Sequence, residues 1–387
     1  MNLQSQGLFQ PKPLQKITFA LFFIAAVGIA LQHYFKPSYN NFKIFEAAFH
    51  HLIQFKNLHS FYPEEYQDQF LYAPPSAIWL GLFSILKTSI SIVVWNVFTA
   101  MSLWYVIYHL PQIDLQTKNK IALFSFIELT TSLHNLQTNQ LLTAMIIGSF
   151  ILLEYNQVWK SHFVTALAFF TKGISGAGVF LLLFYNSMIK NGFTFFIVFM
   201  MVALSPACFV GLHDLPRLYN EWFQILTEDH VVNDGISVIG LIHQNISKGV
   251  NTYLVQFMGM GIFLADLIYI KMKKQNTFGW RLFVLSFILI WLILFNHAAE
   301  SSGYIFGVAG AAIWLFNKKW DSIDKLLFYL ILFFTILAPT DLYPRVFREF
   351  LFNHSIKALP ILLVWIKMHF DLFHSSSPYD LKYYAAD

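Results

Sequence analysis

Uninterrupted apolar stretches follow one another along almost the whole chain, and they constrain its fold more than any other feature. The first is Ile17–Leu31; others lie near 74–86, 90–108, 120–136, 138–155, 161–173, 175–189, 192–212, 251–270, 282–296, 302–317, 323–339 and 353–369. A backbone in lipid has no water to bond to, so only helices and closed barrels satisfy its N–H and C=O groups. Barrel strands alternate apolar and polar residues, whereas these runs are continuous, so helices are predicted. Composition agrees: 12% of residues are charged and mean hydropathy is +0.54, against roughly 25% charged in soluble domains. The expected fold is all-α, one integral membrane domain over residues 1–387 forming a polytopic transmembrane bundle of roughly ten to twelve spans. Several runs fall short of the roughly 20 residues of a full span. These are read as half-spans or as helices sheltered inside the bundle.

The same composition removes other classes. The net charge of +4 is spread over loops with no basic stripe, so nucleic acid is not an expected partner. Neither a GxxxxGK[ST] loop nor a GxGxxG fingerprint is present, which argues against a nucleotide-driven pump or a nucleotide-cofactor enzyme. Cys208, alone and inside an apolar run, reads as a packed small side chain. Lys12 and Lys16 ahead of the first run predict an uncleaved helix that starts in the cytoplasm; Gly28 and Ala30 leave a cleaved signal peptide as the alternative. Basic residues at Lys271–Lys274 and Arg281, and again at Lys318, Lys319 and Lys325, mark cytoplasmic loops. Segments 33–73 and 213–250 then become outer loops, together with Asn135–Asn139, Lys172–Ser175, His297–Ser302 and 340–352. Parity of crossings makes 74–86 a segment that dips in and returns.

Polar residues interrupt the pattern at these outer ends. Phe42, Phe45, Phe49, Leu52 and Ile53 recur at helical spacing opposite Lys43, Glu46, His50 and Gln54, which predicts an amphipathic helix along the membrane surface. Glu64, Glu65 and Asp68 follow among aromatics and end at a diproline, Pro74-Pro75. Acids in such a loop are commonly just solvated; the chemical reading makes one of them a general base. Lys172 breaks an apolar stretch, either snorkelling or gripping a phosphate or carboxylate. Arg345 and Arg348, three apart, share a helix face and suit an anion or lipid headgroups. His297 and Glu300 stand at a tight turn, spaced for a mutual hydrogen bond, and two ligands alone do not make a metal site. Gln137 and Asn139 form a polar knot between two runs, as helix–helix hydrogen bonding also requires.

The order of these segments resembles the GT-C glycosyltransferases, most nearly glycosyltransferase family 87. Asn41-Phe42-Lys43-Ile44-Phe45 looks like that family's Asp-Phe-x-x-Tyr/Phe, and Tyr72-Ala73-Pro74-Pro75 like its Tyr-x-Pro-Pro. Gln137-Thr138-Asn139 is similar to its Gly-Gln-x-Asn with Leu136 in place of Gly, Thr171-Lys172-Gly173 to its Ile-Lys-Pro, and Ser237-Val238-Ile239-Gly240 to its Ser-Leu-x-Gly. The resemblance implies a GT-C-like bundle that moves a mannose-like hexose from a polyprenyl-phosphate sugar donor to a lipid or glycan acceptor. It implies a site on the extracytoplasmic side of a bacterial plasma membrane, with the bilayer as a partner and no cofactor or metal. The family's presumed base, an Asp, corresponds to Asn41 here, whose amide cannot accept a proton usefully. Either Asp68, Glu65 or Glu64 takes over, or the activity is lost. Asn41, Tyr72, Gln137, Asn139, Lys172, His297, Glu300, Arg345 and Arg348 make up the expected substrate-binding set. A transporter or flippase of a lipid-linked substrate and a non-catalytic envelope-assembly scaffold are the alternatives.

Overall fold

A computed structural model describes residues 11–36, 38–185, 187–229, 235–274, 276–374 and 379, and helix is the only regular structure among them. Among the described residues three helices are long and apolar enough to cross a membrane by themselves, α1 (Pro11–Phe35), α4 (Thr88–His109) and α11 (Thr252–Lys273), and a bent pair over 188–228 would make a fourth span. Each of the three would be about 33–38 Å long at 1.5 Å per residue. Their outer faces carry large apolar side chains, among them Ile24, Ile90, Phe98, Leu254 and Phe257. Exposed apolar bands of this kind belong in lipid rather than water.

Some of the shorter runs are sheltered. Between α2 (Asn40–Ile53) and α4 come only the seven-residue α3 (Pro74–Leu80) and a 3-10 turn, Gly81–Ser84, too short to cross. Farther along lie α5 (Leu115–His134), α6 (Asn139–Glu154) and α7 (Val158–Thr171). Every residue of α12 (Phe278–Leu294) except Arg281 is buried, as is all of α13 (Tyr304–Phe316) except Phe316. Their close approach needs small residues: a Cβ on Gly310 would stand 2.9 Å from Leu289 and from the Ser286 carbonyl. Caps set several helix starts, with Asp114 accepting from the Thr117 N–H at 2.9 Å and Asp321 forming a capping box with Asp324.

The structure departs from the periodicity reading in five places. The 192–212 run is not one helix; α8 (Met188–Leu204) and α9 (Ala207–Asp229) meet at 95°. Pro206 between them lacks the N–H a continuing helix needs, and within α9 the backbone leaves the helix at Gly211, φ 80°. Cys208, in this stretch, is exposed rather than packed. The 175–189 run coils as a 3-10 helix, Gly173–Phe184, and α14 (Ser322–Leu330) runs on as a π segment, Ile331–Ile336. Both retain helical hydrogen bonding in a different register, which apolar periodicity does not resolve. The segments 213–250 and 340–352 also contain helix: most of α9, α10 (Val238–Asn245) and α15 (Arg345–Asn353). The last helix, α16 (Ala358–His374), packs back onto α12.

The 54–73 segment packs beneath α9. Trp222 Nε1 donates to the Leu71 carbonyl at 3.1 Å and Arg217 Nη2 to the Phe55 carbonyl at 3.5 Å. This contact brings the two long loop segments to one end of the bundle, called here the α2 end.

Candidate active site at the α2 end

Four chain segments converge at the α2 end. The α7 helix stops at Lys172, whose extended backbone turns its side chain toward the start of α6. Its Nζ donates to Asn139 Oδ1 at 3.3 Å, and Asn139 Nδ2 donates to Ser302 Oγ at 3.3 Å. Ser302 Oγ donates in turn to Glu300 Oε2 at 3.1 Å, and Gln137 Nε2 reaches the same oxygen at 2.9 Å. The result is a continuous polar relay, Lys172–Asn139–Ser302–Glu300–Gln137, laid across the ends of α6, α7 and α13. Beside it Tyr72 Oη meets Thr138 Oγ1 at 3.0 Å. Burial, then the nearby carboxylates of Glu300 and Asp68, raise the Tyr72 phenol above its ordinary value against the opposing Thr138 bond, so it stays protonated.

The turn that presents Gln137 and Asn139 requires Leu136 in the left-handed region, φ 50°. A Gly there would adopt this φ freely; Leu136 takes on about 1 kcal/mol of strain. Its side chain is 1% exposed, and burying a Leu returns about 1.5–3 kcal/mol. Other short motifs are structural. Phe45 stacks on Tyr72 with centroids 5.5 Å apart. Pro74 opens α3 while the Ala73 N–H donates to the Phe170 carbonyl. Ser237 caps α10, and Gly240 allows the Gly235 carbonyl to approach: a Cβ would lie 2.0 Å from it.

Two adjacent asparagines at the start of α2 tie the site together. Asn40 accepts from the Gln67 N–H at 2.7 Å and its amide donates to the Gln67 carbonyl, clamping the residue before Asp68. Asp68 itself sits at φ 101°, beyond the ordinary left-handed well. Such a backbone persists only where its surroundings hold it, and it clusters at functional sites. Asn41 Nδ2 donates to the Asn135 carbonyl at 2.9 Å, fixing the turn that leads to Gln137. An aspartate at 41 would set a carboxylate against that carbonyl.

Next to the relay lies a cleft of about 680 Å³ whose lining includes Asn135, Ser301, Arg345, Arg348 and Lys357 with apolar Pro339 and Phe352. Lys357 is the pivot between cleft and relay. It pairs with Glu128 at 2.9 Å and donates to the Ser301 carbonyl and hydroxyl at 3.0 and 2.8 Å, in the turn that carries Glu300 and Ser302. Its ammonium also lies 4.9 Å from the Tyr304 ring centroid. Arg345 pairs with Glu349 at 2.7 Å and Arg348 with Asp341 at 2.5 Å, both at solvent-facing positions.

Of the residues singled out in the sequence, Tyr72, Gln137, Asn139, Lys172 and Glu300 come together, with Asp68 near Tyr72. Arg345 and Arg348 line the adjoining cleft. Asn41 braces the site. His297 lies beside Gln256, whose Nε2 is 3.2 Å from its Nδ1, and its carbonyl packs against Gly235. Glu65 turns away to His51, 2.9 Å distant, and Glu64 is exposed on the same loop. Sequence reading passed over Asn40, Glu128, Ser302 and Lys357. Glu128 carried a signal, being an acid inside the 120–136 apolar run, where an ionisable residue is by default a functional candidate. The glycosyltransferase family 87 model matches residues 70–316, more than half of the chain. No curated protein matches it.

Proposed function

Because this chain belongs to glycosyltransferase family 87 and is a membrane glycosyltransferase, we propose that it moves a mannose-like hexose from a polyprenyl-phosphate donor to a lipid or glycan acceptor on the extracytoplasmic side of a bacterial plasma membrane. The observation that carries this reading is the meeting of the Lys172–Gln137 relay with a cleft walled by cations and apolar side chains. A lipid-linked sugar phosphate has those two needs, a dry path for its tail and positive charge at its head. In this reading the donor phosphate lies against Arg345 and Arg348, and the sugar extends over the relay, while Lys357, its N–H donors taken by Glu128 and Ser301, holds the turn beneath them. Asp68 takes the proton of the acceptor hydroxyl. The acceptor oxygen attacks the anomeric carbon in line, the bond from that carbon to the phosphate oxygen breaks, and polyprenyl phosphate leaves with the bonding pair. The cations offset the charge gathering on the leaving phosphate.

Asp68 is favoured over Glu65 and Glu64 because its charge acts on Tyr72 and its backbone is held at φ 101° by the Asn40 clamp on Gln67, whereas Glu65 is engaged with His51. Asn41 supplies an amide donor where the family has its presumed base, so base and brace are separate residues here. The test is sugar transfer from radiolabelled polyprenyl-phosphate sugars by the purified protein in proteoliposomes. Transfer by wild type and its loss in Asp68→Asn support the proposal. Failure of every such donor with well-folded wild-type protein sinks it and moves the scaffold reading ahead.

A further inference from the structure

A second recess, of about 430 Å³, opens between α2, the 54–73 segment and the start of α4, away from the relay. Its lining includes three lysines, Lys43, Lys56 and Lys87, and two carboxylates, Glu46 and Glu65. Lys43, Glu46 and His50 lie three and seven residues apart and so share one face of α2. Among the described residues none of the three lysines forms an ion pair. Lys43 and Lys56 rest over the rings of Tyr39 and Tyr62, 5.4 and 6.0 Å from their centroids. Two further lining groups are buried and lack a hydrogen-bond partner: the Tyr66 hydroxyl, on a side chain 3% exposed, and His51 Nδ1, on one 1% exposed. A buried hydroxyl without a partner is costly unless a ligand takes its hydrogen bond.

The position of the recess narrows what that ligand is. Lys87 and Thr88 begin α4, one of the spanning helices, and Leu82, Ile85, Leu86, Ile90 and Val94 around that start are exposed. The opening therefore sits where acyl chains give way to headgroups. Lysines suit a phosphate and carboxylates suit an ammonium, and a headgroup that holds both charges answers both.

We propose that this recess is a binding site for a zwitterionic bilayer lipid of the ethanolamine-phosphate class. Its phosphate lies among Lys87, Lys43 and the Tyr66 hydroxyl, and its primary ammonium reaches Glu46. Burial raises the Glu46 carboxyl above its ordinary value, and an ammonium beside it offsets that penalty. A primary ammonium donates hydrogen bonds to a carboxylate; the trimethylated ammonium of choline lipids does not.

The test is native mass spectrometry of the full chain in micelles doped with equal amounts of ethanolamine, choline and glycerol phospholipids. Wild type should retain the ethanolamine lipid about tenfold over the other two, the scale of one charge-assisted hydrogen bond. Glu46→Gln should bring the ethanolamine lipid level with the glycerol lipid. Lys87→Ala should lower retention of every phospholipid and Lys87→Arg should restore it, which separates lost binding from misfolding. Equal retention of the three lipids by wild type, or an unchanged preference in Glu46→Gln, overturns the proposal. Displacement of the lipid adduct by equimolar soluble phosphoethanolamine would assign a free-metabolite site instead and overturn it too. Sugar transfer plays no part in this readout, so either proposal can fail alone.

Discussion

The two ends of the bundle spend their charges differently. Away from α2, charges close on one another. Arg281 grips Glu154 with two nitrogens at 2.6 and 2.8 Å, and Lys318 sits between Asp324 and Asp371 at 2.7 and 2.8 Å. These side chains are 17% exposed or less. Bidentate, buried pairing leaves few N–H groups for anything else, so these residues pin helices. At the α2 end, Arg345 is 84% exposed, Arg348 faces a cleft, and Lys172 meets the relay through the neutral Asn139 amide. Arg345 and Arg348 each meet one exposed carboxylate, Glu349 and Asp341, through a single nitrogen, and both line the cleft. Whether a charge has donors left over separates a pin from a binding site more clearly than its burial does.

The largest expected break in this comparison comes from the base. Asp68→Asn should lower sugar transfer by roughly 10²–10⁴ while donor binding survives. Asp371→Asn, at the pinned end, serves as the control; it should shift thermal stability and leave transfer per folded molecule unchanged. If Asp68→Asn transfers at the wild-type rate, the base is elsewhere.

Next come the buried pairs, one at each end. Lys357→Met leaves Glu128 buried and alone, and Arg281→Met leaves Glu154 buried with the Tyr185 hydroxyl as its remaining partner. Breaking a buried pair in this way typically costs about 3–5 kcal/mol, so both variants should melt earlier in detergent. Only Lys357→Met should also depress transfer per folded molecule. Adding Glu128→Leu to it should restore stability without restoring transfer, and recovery of both would make Lys357 another pin.

The α2 end was legible in part. Apolar runs gave the helical bundle, and polar residues at run ends gave Lys172, Gln137, Asn139 and Glu300, because a polar group in lipid has to be explained locally. The Glu128–Lys357 pair was not legible, since its members are 229 residues apart and only tertiary packing unites them. Asn41 was visible as a departure from the family pattern, but its partner, the Asn135 carbonyl, is a backbone atom that no motif encodes. The bend at Pro206 was hidden because apolar residues continue on both sides of it.

A smaller effect concerns pH. His59 is 4% exposed, and burial lowers its imidazole to about 4 against an opposing bond to the Phe70 carbonyl. It is therefore neutral in the folded loop, whereas an unfolded loop takes up a proton below about 6.5. Anchoring of 54–73 should hold above pH 6.5 and weaken as pH falls toward 4, by at most about 3 kcal/mol. Limited proteolysis across that range reads it directly; flat cleavage rates would remove His59 as an anchor.

Single truncations in the cleft come after that. Arg348→Ala should weaken donor binding by about tenfold, and Arg345→Ala, more exposed, by less. Equal effects, or none, would shift the phosphate away from α15. The smallest change expected is Asn41→Asp, which swaps one hydrogen bond for a clash with the Asn135 carbonyl, worth about 1 kcal/mol. A gain in transfer by Asn41→Asp would show that position 41 still acts as a base.

The most direct test of the central claim, that the open cations of the α2 end receive the donor phosphate, is crosslinking with a photoreactive polyprenyl-phosphate analogue, mapped by mass spectrometry on the wild-type protein. The account predicts adducts on peptides spanning 338–357 and 299–304, competed away by the natural donor, and none on those holding Glu154, Arg281 or Lys318. Adducts concentrated at the pinned end, or insensitive to the natural donor, would contradict it.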